Sequence, residues 1–303
     1  MVRLPASEVL VPSTEKDCVL VYDVGGSHVA AAVCHAGDYR LGPISSSPHP
    51  AQATSDAFVS MLHALGTQAS DGARGILGAE LAMPGPFDYV AGVSHMRHKL
   101  PYLFGVDLRA ALSERFGWQP DQVRFLNDAA AYLLGEIGAG AARGVARTVA
   151  ITLGTGIGCA FGVDGRVVTE GKGVPPGGEI WNVPYEGKTV EDFLSTRALQ
   201  QNYRERTGKQ SEVSDIAKAA AAGDKVAQEV FATFGSTLGR ALRHLMTDFA
   251  PDVVVLGGGI ARSSQLFVPF AMHELAGLPI NLRITELDDR APLIGAGVSW
   301  FTR

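Results

Sequence analysis

One local design occurs twice in this chain, and it restricts the fold more than any other feature. Cys18-Val19-Leu20-Val21-Tyr22 is a short apolar run ending in Asp23-Val24-Gly25-Gly26-Ser27, and a second run, His28 to Cys34, follows at once. About 130 residues later Thr148 to Leu153 leads into Gly154-Thr155-Gly156-Ile157-Gly158. Cys159 to Val163, the turn Asp164-Gly165 and Arg166 to Thr169 come next. Short apolar runs bounded by glycine read as buried strands, and Asp-Gly between two of them signals a hairpin. The chain is therefore expected to contain two strand–glycine loop–strand units, as in two duplicated lobes that face each other. Strand, not helix, follows the glycines in both units, so neither the P-loop nor the dinucleotide fingerprint is complete. The backbone N–H groups of Gly25, Gly26 and Ser27, with those of Gly154, Thr155 and Gly156, are expected to be free to grip a polyphosphate from two sides. A tight turn with no ligand is the competing reading of either loop alone.

Composition narrows the function classes. Glycine is the outlier, with 36 of 303 residues against a usual share of about 7%, and its clustering marks loops that something approaches closely. A net charge of −5 and a pI near 5.9 give no basic footprint for nucleic acid. No apolar run approaches the ~20 residues of a membrane span. Cys18, Cys34 and Cys159 are few, odd in number and widely spaced, which suits a reducing cytoplasm and argues against disulfides or a zinc cluster. Residues 1–17 read as a polar leader without secretory character, helical periodicity or a basic run, so no DNA-binding helix-turn-helix is expected ahead of the first strand.

Between and after the two units the pattern alternates. Phe58 to Leu65 is helical, and Gly75 to Met83 is a strand running into the stiff turn Pro84-Gly85-Pro86. Val106 to Phe116 is an amphipathic helix, and Val123 to Leu126 a strand ending at Asn127-Asp128, with an Ala/Leu-rich helix behind it. The helix's first N–H groups and positive dipole end are expected to keep Asp128 ionised at the carboxyl end of its strand, where ligands of α/β sheets gather. Glu179 sits among glycines and apolar residues, and Glu191 is expected to open a helix. Val213 to Phe249 reads as one or two long helices with a core stripe at Val226, Val230, Phe234, Leu238, Leu242 and Leu245, ended by Pro251. Val253 to Leu256 is a buried strand entering Gly257-Gly258-Gly259, and Leu293 to Val298 begins a last helix of small residues.

In this order the motifs resemble those of the ROK-type sugar kinases, a branch of the actin-like ATPase superfamily that includes bacterial glucokinases. The resemblance runs from Cys18 to Trp300 and rests on Asp23 to Ser27, Pro84-Gly85-Pro86, Asn127-Asp128-Ala129, Leu153 to Gly158, Gly178-Glu179, Glu191 and Gly257 to Gly259. It implies a two-lobed α/β fold of the actin-like, ribonuclease H-like kind with a cleft. Residues 1–126 with 290–303 would form the smaller lobe and residues 127–289 the larger. It implies ATP-dependent phosphoryl transfer to a sugar hydroxyl, O6 of glucose by default, with Asp128 as the base. Asn127, Glu179, Asn182 and Glu191 would grip other hydroxyls, and Gly85 and His98 would line the sugar pocket. Gly25, Gly26, Ser27, Gly154, Thr155 and Gly156 would hold ATP phosphates, Gly257, Gly258 and Gly259 would lie against the adenosine, and Asp23 would stand near magnesium, through water. A cytoplasmic homodimer, with no nucleic-acid or membrane partner, completes the implication. Many family members carry Gly-His after the first glutamate and a cysteine-rich zinc motif beyond it. Here Trp181-Asn182 replaces the pair and no cysteine lies between Val183 and Val190, so no structural zinc is expected. Asn182 leaves the acceptor open to an amino or acetamido sugar, or one of altered hydroxyl configuration such as mannose or fructose. A sugar- or nucleotide-binding protein without turnover is the rival from another class.

Overall fold

The computed structural model describes residues 17–50 and 53–303; the expected leader, residues 1–16, lies outside the described residues. Two five-stranded sheets carry the architecture. The first is built from β1 (Cys18–Val24), β2 (His28–His35), β3 (Ser45–Pro48), β4 (Ile76–Met83) and β5 (Val123–Asn127). The second is built from β6 (Arg147–Leu153), β7 (Ile157–Val163), β8 (Arg166–Val168), β9 (Val253–Gly257) and β10 (Asn281–Ile284). Their strand orders are β3-β2-β1-β4-β5 and β8-β7-β6-β9-β10. Each is an antiparallel meander of three strands with two parallel strands added at the far side of the first. The duplication read from two glycine loops thus extends to whole sheets.

Burial on both faces explains why these strands read as unbroken apolar runs. In β1 the side chains of Cys18, Leu20, Tyr22 and Val24 join one buried cluster, while Val19 and Val21, on the opposite face, join another. The first cluster is closed by α1 (Ser55–Ala69) and α2 (Leu108–Phe116), capped by Thr54 and Asp107. The second lies between the sheets and is filled by α3 (Asp128–Ala139) and α8 (Ala291–Thr302). These two helices pack along each other; α8 also covers β1, β2 and β4, and α3 covers β6 and β7. A Cβ on Gly135 would strike the backbone of Ala291, and one on Gly295 the backbone of Ala131. The small residues that marked the last helix are what bring it this close.

The outer face of the second sheet is covered by α4 (Thr196–Thr207), α5 (Val213–Ala221), α6 (Lys225–Met246) and α7 (Val268–Glu274). The long helical stretch divides at Gly223-Asp224, where the Asp224 carboxylate accepts the Ala227 N–H at 2.9 Å and starts α6. Val230, Phe234, Leu238 and Leu242 of the expected stripe are buried and Val226 and Leu245 partly so. The helix stops at Met246, before Pro251, and Ala250 turns left-handed with φ 50°. Glu191 does not open an α-helix: it sits in a single 3₁₀ turn, Val190–Asp192, and α4 starts only after its cap Ser195. Strands β3 and β10 had no counterpart in the sequence reading. No helix among the described residues is long and apolar enough to cross a membrane.

Candidate active site

Parallel pairing aligns three strand ends of the first sheet. Asp23 of β1 stands opposite Ala82 of β4, and Met83 of β4 opposite Asn127 of β5. Asn127 is the N-cap of α3, its Oδ1 accepting the Ala130 N–H at 3.1 Å. Its Nδ2 donates to the Tyr89 hydroxyl at 3.1 Å, and that hydroxyl donates to the Met83 carbonyl at 3.2 Å. The side chain of Asn127 is thereby fixed at both ends. Asp128 is the first residue of the helix proper and accepts the Ala129 N–H at 2.9 Å.

The helix start does not set the charge of Asp128. Burial raises its carboxyl above the ordinary carboxylate range, Lys99 and the neighbouring amides oppose the rise, and Glu179 adds to it. Desolvation outweighs the first-turn amides and the lysine together. Asp23 is pushed up to about 7, first by burial and then by the charges of Asp128 and Asp289. The Asp23 side chain accepts no hydrogen bond among the described residues. Two carboxylates therefore share one poorly hydrated field, with the positive charge of Lys99 acting on Asp128, an arrangement found where sites hold anions, cations or transferable protons. Lys99 escaped the sequence reading, which singled out its neighbour; no local pattern distinguishes a lysine in that irregular stretch.

The glycine loops divide into parts the chain itself requires and parts it leaves open. The Gly25 N–H donates to the His28 carbonyl at 3.0 Å, and the Gly154 N–H to the Gly156 carbonyl at 3.0 Å. The expectation that these two amides are free for phosphate is corrected: each closes its own turn. A Cβ on Gly156 would meet the Glu191 carboxylate, and one on Gly257 the Tyr132 hydroxyl. Gly258 has φ 81° and would place a Cβ 2.8 Å from the Leu153 nitrogen. At Gly257 and Gly258, expected to face an adenosine, packing by itself already demands glycine. Gly26, Gly154 and Gly259 differ: none is left-handed, and a Cβ on any of them would meet nothing within 4 Å. One such position lies in each loop, where bare backbone faces open space.

His49 holds the first loop from behind. Its backbone N–H donates to the Ser27 carbonyl at 3.1 Å, and its Nε2 lies 2.9 Å from the Gly25 carbonyl. Only the pairing of β2 with β3 brings this histidine there, so the local sequence carried no sign of it. The second loop is tied by its Gly154 carbonyl to the Thr196 N–H at the start of α4, 2.8 Å away. Ser27 and Thr155 are exposed at the loop tips.

Of the residues expected to grip hydroxyls, the structure joins some and separates others. Glu191 accepts the Ile157 N–H at 3.1 Å, which seats it on the second glycine loop. Glu179 accepts the Trp181 indole N–H at 2.6 Å, and its charge is felt by Asp128 and Tyr89. A Cβ on Gly85 would lie 3.6 Å from the Tyr89 hydroxyl that holds Asn127. His98 and Asn182 are exposed and neither side chain makes a hydrogen bond among the described residues. No group of three or more His, Cys, Asp or Glu that could hold a metal ion occurs among the described residues. A separate surface cavity between α1 and α2, edged by the Arg115–Asp56 ion pair at 2.9 Å, contains none of these residues.

Comparison with known proteins gives this arrangement its family. The glucokinase of Thermotoga maritima is 29% identical over 209 residues, which are 61% of this chain and 65% of that protein. The chain spans about six-tenths of the length of the curated relatives it matches. Among solved structures, the ROK hexokinase from Thermus thermophilus superposes with a TM-score of 0.77 at 27% identity, covering 93% of this chain and 97% of that one. A ROK family glucokinase from Streptomyces griseus, solved with glucose and AMPPNP, shares the fold at a TM-score of 0.77 and 22% identity, covering 92% and 98%. A sequence model of the ROK family matches residues 19–302, and the chain belongs to the ROK family, with the two-lobed actin-like fold of its sugar kinases.

Proposed function

We propose that this protein is an ATP-dependent sugar kinase that transfers the γ-phosphoryl group to a hexose hydroxyl, with Asp128 as the general base. The observation that carries the reading is the set of open glycines Gly26, Gly154 and Gly259, one in each loop, beside strand ends that bear Asp23 and Asp128. Bare backbone facing open space suits close contact with phosphate oxygens and a flat base. The names of the relatives, glucokinase, N-acetyl-D-glucosamine kinase and ROK hexokinase, support the same reaction class.

Phosphoryl transfer asks the protein mainly for position and charge stabilisation. The acceptor hydroxyl gives its proton to Asp128 as its oxygen bonds to the γ-phosphorus, and the bond from that phosphorus to the bridging oxygen breaks to release ADP. The raised affinity of Asp128 for protons favours its role as acceptor, while Lys99 opposes that rise. Asn127 and the remaining oxygens of Glu179 and Glu191 hold other hydroxyls, each with a defined direction. The residues present also fit magnesium. Asp23 and Asp128 are hard oxygen donors in one field, and magnesium takes one or two carboxylates with substrate phosphates and water. When bound, the ion would neutralise charge on the phosphate oxygens, with Asp23 holding it through water. On this reading residues 1–126 with 290–303 form one lobe and 127–289 the other, and lobe closure excludes water as a competing acceptor. Glucose phosphorylated at O6 is the default reaction, and the protein works as a cytoplasmic homodimer.

The test is ADP release with Mg-ATP against glucose, mannose, fructose, glucosamine, N-acetylglucosamine, N-acetylmannosamine and kanosamine, comparing wild type with Asp128→Asn. Turnover with one sugar that the variant loses by orders of magnitude supports the assignment. Release no faster than the variant's with every sugar overturns it.

A further inference from the structure

The residue the reaction scheme leaves unused is Trp181. Large aromatic side chains are mostly buried, yet this one is 44% exposed and hydrogen-bonded into the candidate site. Its indole Nε1–H donates to Glu179 Oε2 at 2.6 Å, and its carbonyl accepts the Glu191 N–H at 3.1 Å. Glu191 Oε2 is in turn taken by the Ile157 N–H at 3.1 Å. Each of the two carboxylates therefore has one oxygen committed to the protein and one left for a ligand; Trp181 holds the first by its side chain and the backbone of the second by its carbonyl. The indole edge is fixed by a charge-assisted bond, while the residue as a whole keeps 44% of its surface exposed. A fixed aromatic plane beside hydroxyl-binding carboxylates matches a pyranose or furanose, whose hydroxyls point sideways and whose C–H groups form an apolar face.

We propose that Trp181 determines acceptor specificity: its N–H orients Glu179, and its exposed face stacks against the C–H face of a cyclic sugar. The kinetic part rests on the sugar-kinase reading; the binding part does not. An acyclic polyol with the same hydroxyls lacks the stacking face and is discriminated against.

The experiment titrates glucose, mannose, N-acetylglucosamine and ring-free D-glucitol against intrinsic fluorescence and measures KM for acceptor and for ATP. Wild type is compared with Trp181→Phe, which keeps a ring but removes the donor, and with Trp181→Leu, which removes both. The chain has three tryptophans. Trp118 is stacked on Phe116 at 4.3 Å and Trp300 is 8% exposed, so Trp181 is the one placed to report a sugar. A cyclic sugar is expected to change the emission, D-glucitol is not, and both variants lose the change. Trp181→Phe should raise the acceptor KM on the order of tenfold, the effect of leaving a charged acceptor without its donor, and Trp181→Leu by about a further twofold to tenfold for the lost aromatic contact. The KM for ATP and the melting temperature should stay as in wild type, which a general loss of structure would not allow.

An acceptor KM within twofold of wild type in both variants, an equal response to D-glucitol, or no response to any sugar overturns the proposal. If cyclic sugars change Trp181 emission but none elicits ADP release, the transfer reading fails and this inference stands. If ADP is released with an unchanged acceptor KM in both variants, the inference fails and the transfer reading stands.

Discussion

The division of glycines into structural and open ones can be tested by adding a single methyl group at two positions, Gly154→Ala and Gly258→Ala. Gly258 has φ 81°, and its Cβ would lie 2.8 Å from the Leu153 nitrogen and 2.9 Å from its carbonyl carbon. The left-handed backbone costs about 1–2 kcal/mol for an alanine. Backbone atoms cannot rotate away as side chains do, so overpacking adds about 1–3 kcal/mol. The expected loss is roughly 2–5 kcal/mol, a drop in melting temperature of several degrees or more for a chain of this size. Gly154 has neither constraint: no left-handed φ and nothing within 4 Å of the new Cβ. There the substitution narrows the unfolded ensemble and should leave stability unchanged or raise it by about 0.4–1 kcal/mol. Function moves the other way. The Gly154 N–H closes its own turn, but a methyl group on the open face of the loop would hold a phosphate off the neighbouring Thr155 N–H and remove one charge-assisted hydrogen bond, about 1.5–3 kcal/mol, so the KM for ATP should rise by about 10- to 150-fold at 1.4 kcal/mol per decade. Thermal melts without nucleotide and initial rates over an ATP series read both quantities. If Gly154→Ala melts as low as Gly258→Ala while its KM for ATP is unchanged, the open backbone serves no ligand and the reasoning is refuted.

The remaining tests address charge and packing. Because burial raises the Asp128 carboxyl, kcat/KM should fall as pH drops through a value above the usual carboxylate range, and Lys99→Met, which removes the opposing cation, should move that limb to still higher pH; an unmoved or lowered limb would contradict the electrostatic account. Glu80 is fully buried, bonded to Ser299 at 3.0 Å, and raised above 4.5 by desolvation despite Arg303. Its folded form binds the proton more tightly than the unfolded chain does. Its contribution to stability is therefore lost as pH rises from about 4.5 through its raised folded value. Urea melts should find Glu80→Gln gaining on wild type across that window, and a gap that shrinks with pH would refute the sign. Gly295→Ala places a methyl on the Ala131 backbone; about 1 kcal/mol of helix propensity does not offset about 1–3 kcal/mol of overpacking, so melting should fall and kcat with it. A Gly295→Ala protein as stable as wild type would mean that α3 and α8 separate freely.

What could be read in the chain and what could not follow the reach of the forces involved. Strands β1, β2, β6, β7 and β9 were legible because burial on both faces writes a continuous apolar run. Asn127-Asp128 was legible because a strand end and a helix start abut there. β3, with the sequence Ser-Ser-Ser-Pro, and β10, whose burial pattern alternates between exposed and half-buried, are edge strands held by neighbours and write no such pattern. The site residues that escaped, Lys99 and His49, act through space or across strand pairing, and nothing within a few residues of either distinguishes it. The proton affinity of Asp128 was underestimated for the same reason: capping amides are local and readable, whereas desolvation is the sum of everything packed around the group. Glu191 was expected to open a helix and instead lies in a single 3₁₀ turn, because one 3₁₀ turn and one α-helical turn look alike at that length.

The matched strand order of the two sheets carries an asymmetry that the glycine loops conceal. The fifth strand of the first sheet ends in Asn127 followed by Asp128; the fifth strand of the second ends just before Thr285, followed by Glu286. Asn127 and Thr285 do the same work, each offering a side-chain oxygen to N–H groups of the next turn. Their neighbours do not: Asp128 is half-buried, while Glu286 is exposed. A scaffold that repeats itself almost strand for strand thus has a left and a right hand at its centre. On the proposed reaction, the carboxylate that accepts the proton stands at the strand end of the first sheet, and its counterpart in the second, Glu286, is left to solvent.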